Sequence, residues 1–318
     1  MLSRRCVVAA LSGLCVASRG AFAAGSEVRT PGALEVPRGA CDTHVHVIGD
    51  PAEFPMSPSR DYTPAPAPAD DLREMLQFLG FDRVVIVTPD VYGTDNAVTL
   101  AAIEALGQDR ARGVAWVAQT APPEDLDRMR AAGIVGIRVS LQIGDQGFDA
   151  ARAAKHLQAK SELARMWKWH LQFSEPPSVI AALKSQLASS PVPFVFTYFG
   201  WAQGGVDQPG FAAVLSLIKS GAAYVKLSEP YRLSKKGPDY PDLVPVVRAL
   251  LAANPDRVLW GSGWPHVSGP VTGRPVSAIT PALPVDTGHL LNLFTTWVPD
   301  AETRRKILVD NPARLYGF

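Results

Sequence analysis

The feature that most constrains the fold is a regular alternation of short apolar, β-branched segments with segments of helical periodicity. The eight segments with strand character are residues 40–47, 83–88, 111–118, 134–141, 170–174, 193–199, 222–228 and 257–261. Apolar residues recur at helical spacing between them, for example at Leu72, Met75, Leu76 and Leu79. Buried parallel strands joined by helical crossovers produce this pattern, and eight strands close a barrel. We therefore predict a single-domain, distorted (β/α)8 (TIM) barrel, with a doubly wound open sheet as the alternative.

The composition excludes several classes of protein. The 318 residues are 47% hydrophobic, which is enough for a large core and excludes a disordered chain. With 31 Lys and Arg against 30 Asp and Glu, the chain lacks the positive charge of a general nucleic-acid binder. No Gly-rich dinucleotide fingerprint follows the first predicted strand, which disfavours the open sheet. The Pro-rich stretch 51–68 predicts a long loop on the face where barrel enzymes keep their chemistry.

The N-terminus has the order of an export signal. Arg4 and Arg5 precede an apolar run over 6–16, and the small residues of 21–24 offer a cleavage site. The twin arginine favours the Tat route, which exports folded proteins, with a Sec signal as the alternative. We therefore expect cleavage of residues 1–24, recognition by the Tat export machinery, and a periplasmic mature protein at 25–318. The apolar run is too short to span a bilayer, so no stable membrane anchor is expected.

Removal of the signal changes the charge and the cysteine content. Three arginines leave and no acid leaves, which changes the formal net charge from +1 to about −2. Two of the three cysteines also leave, so Cys41 remains alone and no intramolecular disulfide is possible. We expect Cys41 to be a small buried residue rather than a reactive thiol.

The first predicted strand ends in the run Asp42-Thr43-His44-Val45-His46. Because successive side chains of a strand point to opposite faces, His44 and His46 share one face. Functional residues of α/β barrels gather at the carboxyl ends of the strands, where this run lies. Two imidazoles at such a position can bind a metal or polarise a carbonyl, and we expect both to be catalytic.

Several separated motifs, all in order along the chain, carry a more specific resemblance. They are Cys41-Asp42-Thr43-His44-Val45-His46, Asp61-Tyr62-Thr63-Pro64, Tyr92-Gly93-Thr94-Asp95-Asn96, Gly136-Ile137-Arg138, Val225-Lys226-Leu227-Ser228, Tyr231-Arg232-Leu233-Ser234, Arg257-Val258-Leu259-Trp260-Gly261-Ser262-Gly263-Trp264-Pro265-His266 and Asn311-Pro312-Ala313-Arg314-Leu315-Tyr316-Gly317-Phe318. Over about 39–318 the chain resembles the amidohydrolase-2 family, in particular its metal-independent lactonase branch, typified by 2-pyrone-4,6-dicarboxylate lactonase and galactarolactone isomerase. The resemblance implies a barrel enzyme that acts on the ester bond of a carboxylated lactone.

Two positions depart from the family pattern. The sixth strand of the family usually ends Asp-His-x-Gly, but this sequence has Thr197-Tyr198-Phe199-Gly200, and the Asp of the eighth strand is Gly263. In the family, that Asp closes the metal site of metal-dependent members and is the general base of the lactonases. Its loss leaves His44 and His46 as the clear ligands, fewer than the three protein ligands of a catalytic metal site. We therefore expect no tightly bound metal and no cofactor.

The resemblance also implies a site for an anionic, oxygen-rich ligand. At the lactonase positions Arg138 and Arg232 would clamp substrate carboxylates, and a buried guanidinium is costly without an anion. An ion pair with a nearby barrel acid is the alternative for Arg138, and a surface position is the alternative for Arg232. Tyr62 could donate a hydrogen bond to a carboxylate or carbonyl, and Ser228 and His266 complete the expected substrate-binding set.

With Gly263 in place of the family Asp, this sequence lacks the residue that activates water in the lactonases. Tyr198, which replaces the family histidine, could donate a hydrogen bond to a developing oxyanion. Asp90, after the second predicted strand, is our first candidate for the base, and Glu175 and Glu229 are the alternatives. The expected catalytic residues are His44, His46, Asp90 and Tyr198.

Two further polar residues are expected inside the barrel rather than at its mouth. His170 falls at the beginning of its strand, the wrong end for an active site, and is expected to be a core histidine. Lys226 lies between apolar neighbours on the seventh strand and is expected to pair with an acid within the barrel.

Three functions follow from these residues. The first is metal-independent hydrolysis of a carboxylated lactone, in which the histidines polarise the carbonyl. The second is lactone isomerisation, in which a substrate hydroxyl replaces water as the attacking group. The third is non-catalytic binding of an organic acid by the arginines, and fold analogy alone does not choose among the three.

Overall fold

The computed structural model describes residues 30–141 and 148–318. The predicted export signal at 1–24, and with it the expected cleavage site, lies outside the described residues. Within the described ranges, no helix combines the length and the apolar character needed to cross a membrane.

Eight parallel strands form the sheet that the sequence predicts. In chain order the strands of the described chain are β1 (Cys41–Val45), β2 (Thr63–Pro64), β3 (Arg83–Val87), β4 (Ala111–Trp116), β5 (Ile134–Arg138), β6 (His170–Phe173), β7 (Phe194–Phe196), β8 (Ala223–Ser228), β9 (Val258–Gly261) and β10 (Ile279–Thr280). The sheet order is β1-β3-β4-β5-β6-β7-β8-β9, whereas β2 and β10 pair separately with each other. Each of the eight predicted segments contains one strand of this sheet, so the predicted barrel is confirmed.

The barrel closes where the last strand meets the first. The Gly263 amide donates to the His44 carbonyl at 2.8 Å, and the His46 amide donates to the Trp264 carbonyl at 2.7 Å. Below these bonds, Oδ1 of buried Asp42 accepts from the amides of His44 at 3.1 Å and Ser262 at 3.0 Å. These bonds exclude the open-sheet alternative, because an open sheet leaves its two edge strands apart.

Helices surround the barrel. They are α1 (Ala69–Leu79), α2 (Ala97–Leu106), α3 (Pro123–Ala131), α4 (Ala150–Trp167), α5 (Pro177–Ala182), α6 (Lys184–Ala188), α7 (Tyr198–Trp201), α8 (Phe211–Lys219), α9 (Val244–Ala253), α10 (Thr287–Trp297), α11 (Ala301–Arg305) and α12 (Asn311–Tyr316). In α1, the four apolar residues at helical spacing are all buried, and Gly80 ends the helix in the left-handed conformation at φ 82°. The short α7 is interrupted, since Phe199 and Gly200 have positive φ.

The barrel interior holds polar groups below the mouth. Cys41 is fully buried and unpaired, as expected of a small core residue. His170 is also buried, with its ring 5.3 Å from that of Tyr316, so its predicted core position is confirmed. Burial together with the nearby Lys226 lowers the pKa of His170 to about 3, which keeps it neutral.

Gly136 leaves the space that the His170 ring fills. A Cβ at position 136 would lie 2.3 Å from His170 Cε1. We expect Gly136→Ala to lower the free energy of unfolding by about 1–3 kcal/mol, the usual cost of overpacking a core. Urea denaturation measures this, with Gly32→Ala as the matched control, because a Cβ at position 32 meets its neighbours at an ordinary 3.6 Å. Equal stability of the two variants would contradict this packing.

Candidate active site

His44 and His46 lie side by side at the carboxyl end of β1. Their ring centroids are 5.2 Å apart at an interplanar angle of 85°, and both side chains are buried. The His46 Nδ1 faces the Val87 carbonyl at 2.7 Å, which makes Nδ1 the donor and leaves the Nε2 lone pair free to accept or to bind a metal. Burial lowers the pKa of both imidazoles, and the Lys226 charge lowers that of His44 further, so both are neutral.

Glu229 joins the two histidines. It follows β8 in the left-handed conformation, with φ 52° and ψ 56°, and it has no exposed surface. Its Oε1 lies 3.6 Å from His44 Nε2, while its Oε2 accepts a hydrogen bond from Arg232 Nε. One potential ligand atom from each of His44, His46 and Glu229 lies within 4.8 Å of the other two.

The carboxylate of Glu229 occupies the space beside Gly263. A Cβ at position 263 would lie 2.1 Å from Glu229 Cγ and 2.8 Å from the Tyr231 hydroxyl. Gly263 has a φ of 79°, which a glycine adopts without strain. Glu229 can therefore turn inward only because position 263 has no side chain.

Asp90, our first candidate for the base, lies on a different partner. Its Oδ1 is 2.7 Å from Arg138 Nη1 and accepts from Trp116 Nε1 at 3.0 Å. Desolvation, the largest single effect, raises the pKa of this carboxyl, but Arg138, His46, Trp116 and Arg232 together lower it below its ordinary value. The side chain is 64% exposed, so Asp90 lies at the rim rather than with the histidines. Arg138 thus forms the ion pair with a nearby barrel acid that we named as the alternative to substrate binding.

Arg138 lines a cavity at the same end of the barrel as the histidines. The cavity has a volume of about 310 Å³ and lies at the carboxyl ends of β3 to β6, with Asp90, Trp116, Ser174 and Glu175 in its lining. The Arg138 guanidinium lies 4.7 Å above the Trp116 ring and donates to the Thr88 carbonyl at 2.7 Å. The carboxylate of Glu175, the third candidate base, accepts from the Leu141 amide at 2.7 Å.

Three more of the predicted site residues, Tyr198, Tyr62 and Ser228, keep a hydroxyl that can donate a hydrogen bond. Tyr198 is buried with its ring 5.8 Å from that of His44, and burial raises its pKa, so it keeps the proton that a donor needs. Burial and the nearby Asp90 raise the pKa of Tyr62 to about 12. Ser228, at the end of β8, is buried, and its Oγ makes no hydrogen bond with any described residue.

His266 has a structural environment that differs from our expectation of a substrate contact. Its Nδ1 is 3.2 Å from the Tyr231 hydroxyl, and its Nε2 is 2.8 Å from Thr287 Oγ1. Burial, together with the Arg232 charge, lowers the pKa of His266 to about 3. Because both ring nitrogens are already engaged, His266 orients Tyr231 behind Glu229.

The three buried donors fit a divalent cation. Two imidazoles and one carboxylate are the ligands that zinc accepts, and three protein ligands leave a position for water. Neither the His44 nitrogens nor Glu229 Oε1 hydrogen-bonds to a described residue. Our expectation of no metal counted the two histidines alone, and Glu229, which the sequence analysis named only as an alternative base, makes a third donor. The absence of a metal therefore stays a prediction.

The comparisons with known proteins agree with this fold. The Amidohydro_2 family, described as amidohydrolase, matches residues 41–318. The chain belongs to this amidohydrolase family, as its motifs predicted.

Two relatives are named for reactions of lactones, one as a hydrolase and one as an isomerase. The 4-sulfomuconolactone hydrolase of Hydrogenophaga intermedia is 35% identical, covering 89% of this chain and 90% of that protein. The D-galactarolactone isomerase of Agrobacterium fabrum is 32% identical, covering 88% of this chain and 91% of that protein. The structure of a "probable 2-pyrone-4,6-dicarboxylic acid hydrolase" from Acinetobacter baumannii, with citric acid bound, is 26% identical at a TM-score of 0.70, covering 88% and 100% of the two chains. These relatives support a lactonase-type hydrolase or isomerase.

Lys226 lies beneath the site with neutral partners, rather than with the acid we expected. Its Nζ donates to the Thr43 carbonyl at 2.5 Å and to Gln172 Oε1 at 2.6 Å, and burial lowers its pKa to about 7. Between this pKa and the ordinary value of 10.5, the unfolded chain binds a proton that the folded chain does not. The stability of the fold must therefore rise with pH in this window.

We expect the free energy of unfolding to increase by about 1 kcal/mol between pH 7 and 8 through Lys226 alone. Lys226→Met keeps a similar volume and removes this contribution, so the difference in stability between the two proteins changes with pH. Urea denaturation at pH 7.0, 7.5 and 8.0 measures it. Parallel pH profiles for the two proteins would show that Lys226 does not titrate in this range.

Proposed function

We propose that this protein hydrolyses the ester bond of a carboxylated lactone. The observation that carries the proposal is the convergence of His44, His46 and Glu229 at the carboxyl end of the barrel, beside a cavity that holds Arg138. The similarity to a 4-sulfomuconolactone hydrolase supports the same reaction class. A small anionic lactone fits the cavity of about 310 Å³.

Arg138 orients the substrate through its carboxylate. Its Nη1 is engaged by Asp90, but the rest of the guanidinium makes no hydrogen bond with the described residues. The Asp90 side chain is 64% exposed, so solvent can take over its contact when a substrate carboxylate replaces it on the mostly buried Arg138 guanidinium. A ligand held at this end places its ring towards His44 and His46.

The groups around the histidines then act on the lactone carbonyl. Tyr198, which stays protonated, donates a hydrogen bond to the oxygen that becomes negative during attack. The buried position of His44 and His46 keeps bulk water from competing for this oxygen. A divalent cation held by His44, His46 and Glu229 would, when bound, polarise the carbonyl and acidify a water molecule. Metal independence, as the sequence predicts, remains part of the proposal. Without a metal, the N–H of neutral His44 and the Tyr198 hydroxyl must polarise the carbonyl, because His46 Nε2 carries a lone pair and cannot donate.

Lactone isomerisation is the second candidate, and the similarity to a D-galactarolactone isomerase favours it. In that reaction a hydroxyl of the substrate attacks the same carbonyl in place of water. Reaction in ¹⁸O-labelled water separates the two, because hydrolysis incorporates solvent oxygen into the product and isomerisation does not.

We expect the purified protein to open a carboxylated lactone with incorporation of ¹⁸O, as followed by NMR and mass spectrometry. His44→Asn should lower kcat/KM on the order of 100-fold, the usual effect of removing a group that stabilises the transition state. His289→Asn, at a surface histidine that contacts Asp239, is the matched control and should keep full activity. Binding of a carboxylate without turnover of any lactone, and unaffected by His44→Asn, would identify a non-catalytic binder instead.

We also propose that the protein is exported to the periplasm by the Tat route, on the evidence of its N-terminal sequence. The mature protein should begin at Gly25, as N-terminal sequencing of the periplasmic fraction would show. Replacing both Arg4 and Arg5 with lysine should retain the precursor in the cytoplasm, since the twin arginine is what the Tat machinery recognises. Normal export of that variant would identify a Sec signal.

A further inference from the structure

Gly263, which follows β9, has no side chain, and Glu229 fills the space that a side chain at this position would occupy. A Cβ at Gly263 would overlap Glu229 Cγ at 2.1 Å and approach its Cδ at 2.8 Å. A side chain at position 263 and an inward Glu229 therefore exclude each other. Glu229, which follows β8, therefore places its carboxylate beside the end of β9 in the barrel mouth.

The environment of Glu229 is that of a functional group rather than of a structural ion pair. Its Oε2 is held by Arg232, which itself lies 5.4 Å above the Tyr198 ring. Its Oε1 points towards His44 and makes no hydrogen bond with any described residue. A buried oxygen without a partner is costly, and it is retained here in a backbone conformation that favours glycine.

The two competing acids are engaged elsewhere. Asp90 binds Arg138 and Trp116 at the exposed rim, and Glu175 accepts from the Leu141 amide on the far side of the cavity. Within the described ranges, Glu229 is the acid whose carboxylate groups with His44 and His46. It is therefore the acid placed closest to where the proposed substrate carbonyl would lie.

We infer that Glu229 is the general base of this enzyme, an inference that rests on the proposed lactone hydrolysis. Oε1 accepts a proton from water as the water oxygen bonds to the lactone carbonyl carbon. The ring C–O bond then breaks, and the same proton passes from Glu229 to the departing ring oxygen. The second proton of water leaves the new carboxylic acid for solvent, so the products are a carboxylate and a hydroxyl.

Variants that remove the Glu229 carboxylate, or place a carboxylate at position 263 instead, test this role. Glu229→Gln keeps the shape of the side chain and should lower kcat by about 10²–10⁴-fold with little change in KM, which is the usual contribution of a general base. Gly263→Asp alone should also be impaired, because the new side chain meets Glu229. The double variant Glu229→Gly/Gly263→Asp removes this clash and should recover at least 10-fold over Glu229→Gly.

The matched control is Glu162→Gln, which removes an acid from an exposed Glu–Arg pair of the same three-residue spacing and should leave kcat unchanged. Thermal unfolding and binding of the hydroxy-acid product confirm that each variant is folded.

Lactone hydrolysis by the wild type with kcat retained in Glu229→Gln would overturn the inference and leave the proposed function standing. Loss of stoichiometric metal together with activity in Glu229→Gln would make Glu229 a ligand and also overturn it. If the wild type hydrolyses no lactone, both fail.

Discussion

The contact between the first and last barrel strands is the constraint on which the site depends. Buried Asp42 accepts hydrogen bonds from the amides of His44 and Ser262, and Thr43 donates to the Trp260 carbonyl at 2.7 Å. These bonds join the backbone that carries the histidine pair to the backbone that leads to Gly263. Burial raises the pKa of Asp42 to about 6, a sign of how little solvent reaches this seam. Any change in the closure would move His44 relative to Glu229.

Charge in the barrel mouth is compensated within the protein. Arg232 pairs with buried Glu229, and Arg138 pairs with exposed Asp90, while burial keeps the two histidines neutral. The two ion pairs differ in the exposure of their acid, because Glu229 is buried and Asp90 is exposed. Separating Glu229 from Arg232 would leave a fully buried carboxylate without its partner, whereas Asp90 can turn to solvent when it leaves Arg138. An incoming anion therefore has access to Arg138, and Arg232 stays with Glu229.

Gly263 and Glu229 show how residues that follow two neighbouring strands share one space in the barrel mouth. The rim of a parallel barrel brings neighbouring strand ends together, so a carboxylate on β8 can reach a space that belongs to the end of β9. This arrangement needs a glycine that leaves room and a left-handed residue that turns its side chain inward. Such pairs of residues are hard to recognise one position at a time.

The eight strands, the core helices and the pairing of His44 with His46 on one face were all predictable from the sequence, because residue spacing along a strand or helix is a local property. The family was also predictable from its motifs. The choice among Asp90, Glu175 and Glu229 was not, and neither was the engagement of both nitrogens of His266. These depend on which strand ends meet when the barrel closes and on the backbone angles of single loop residues. Only the tertiary structure decides them, since the atoms involved are brought together by contacts between residues far apart in the chain.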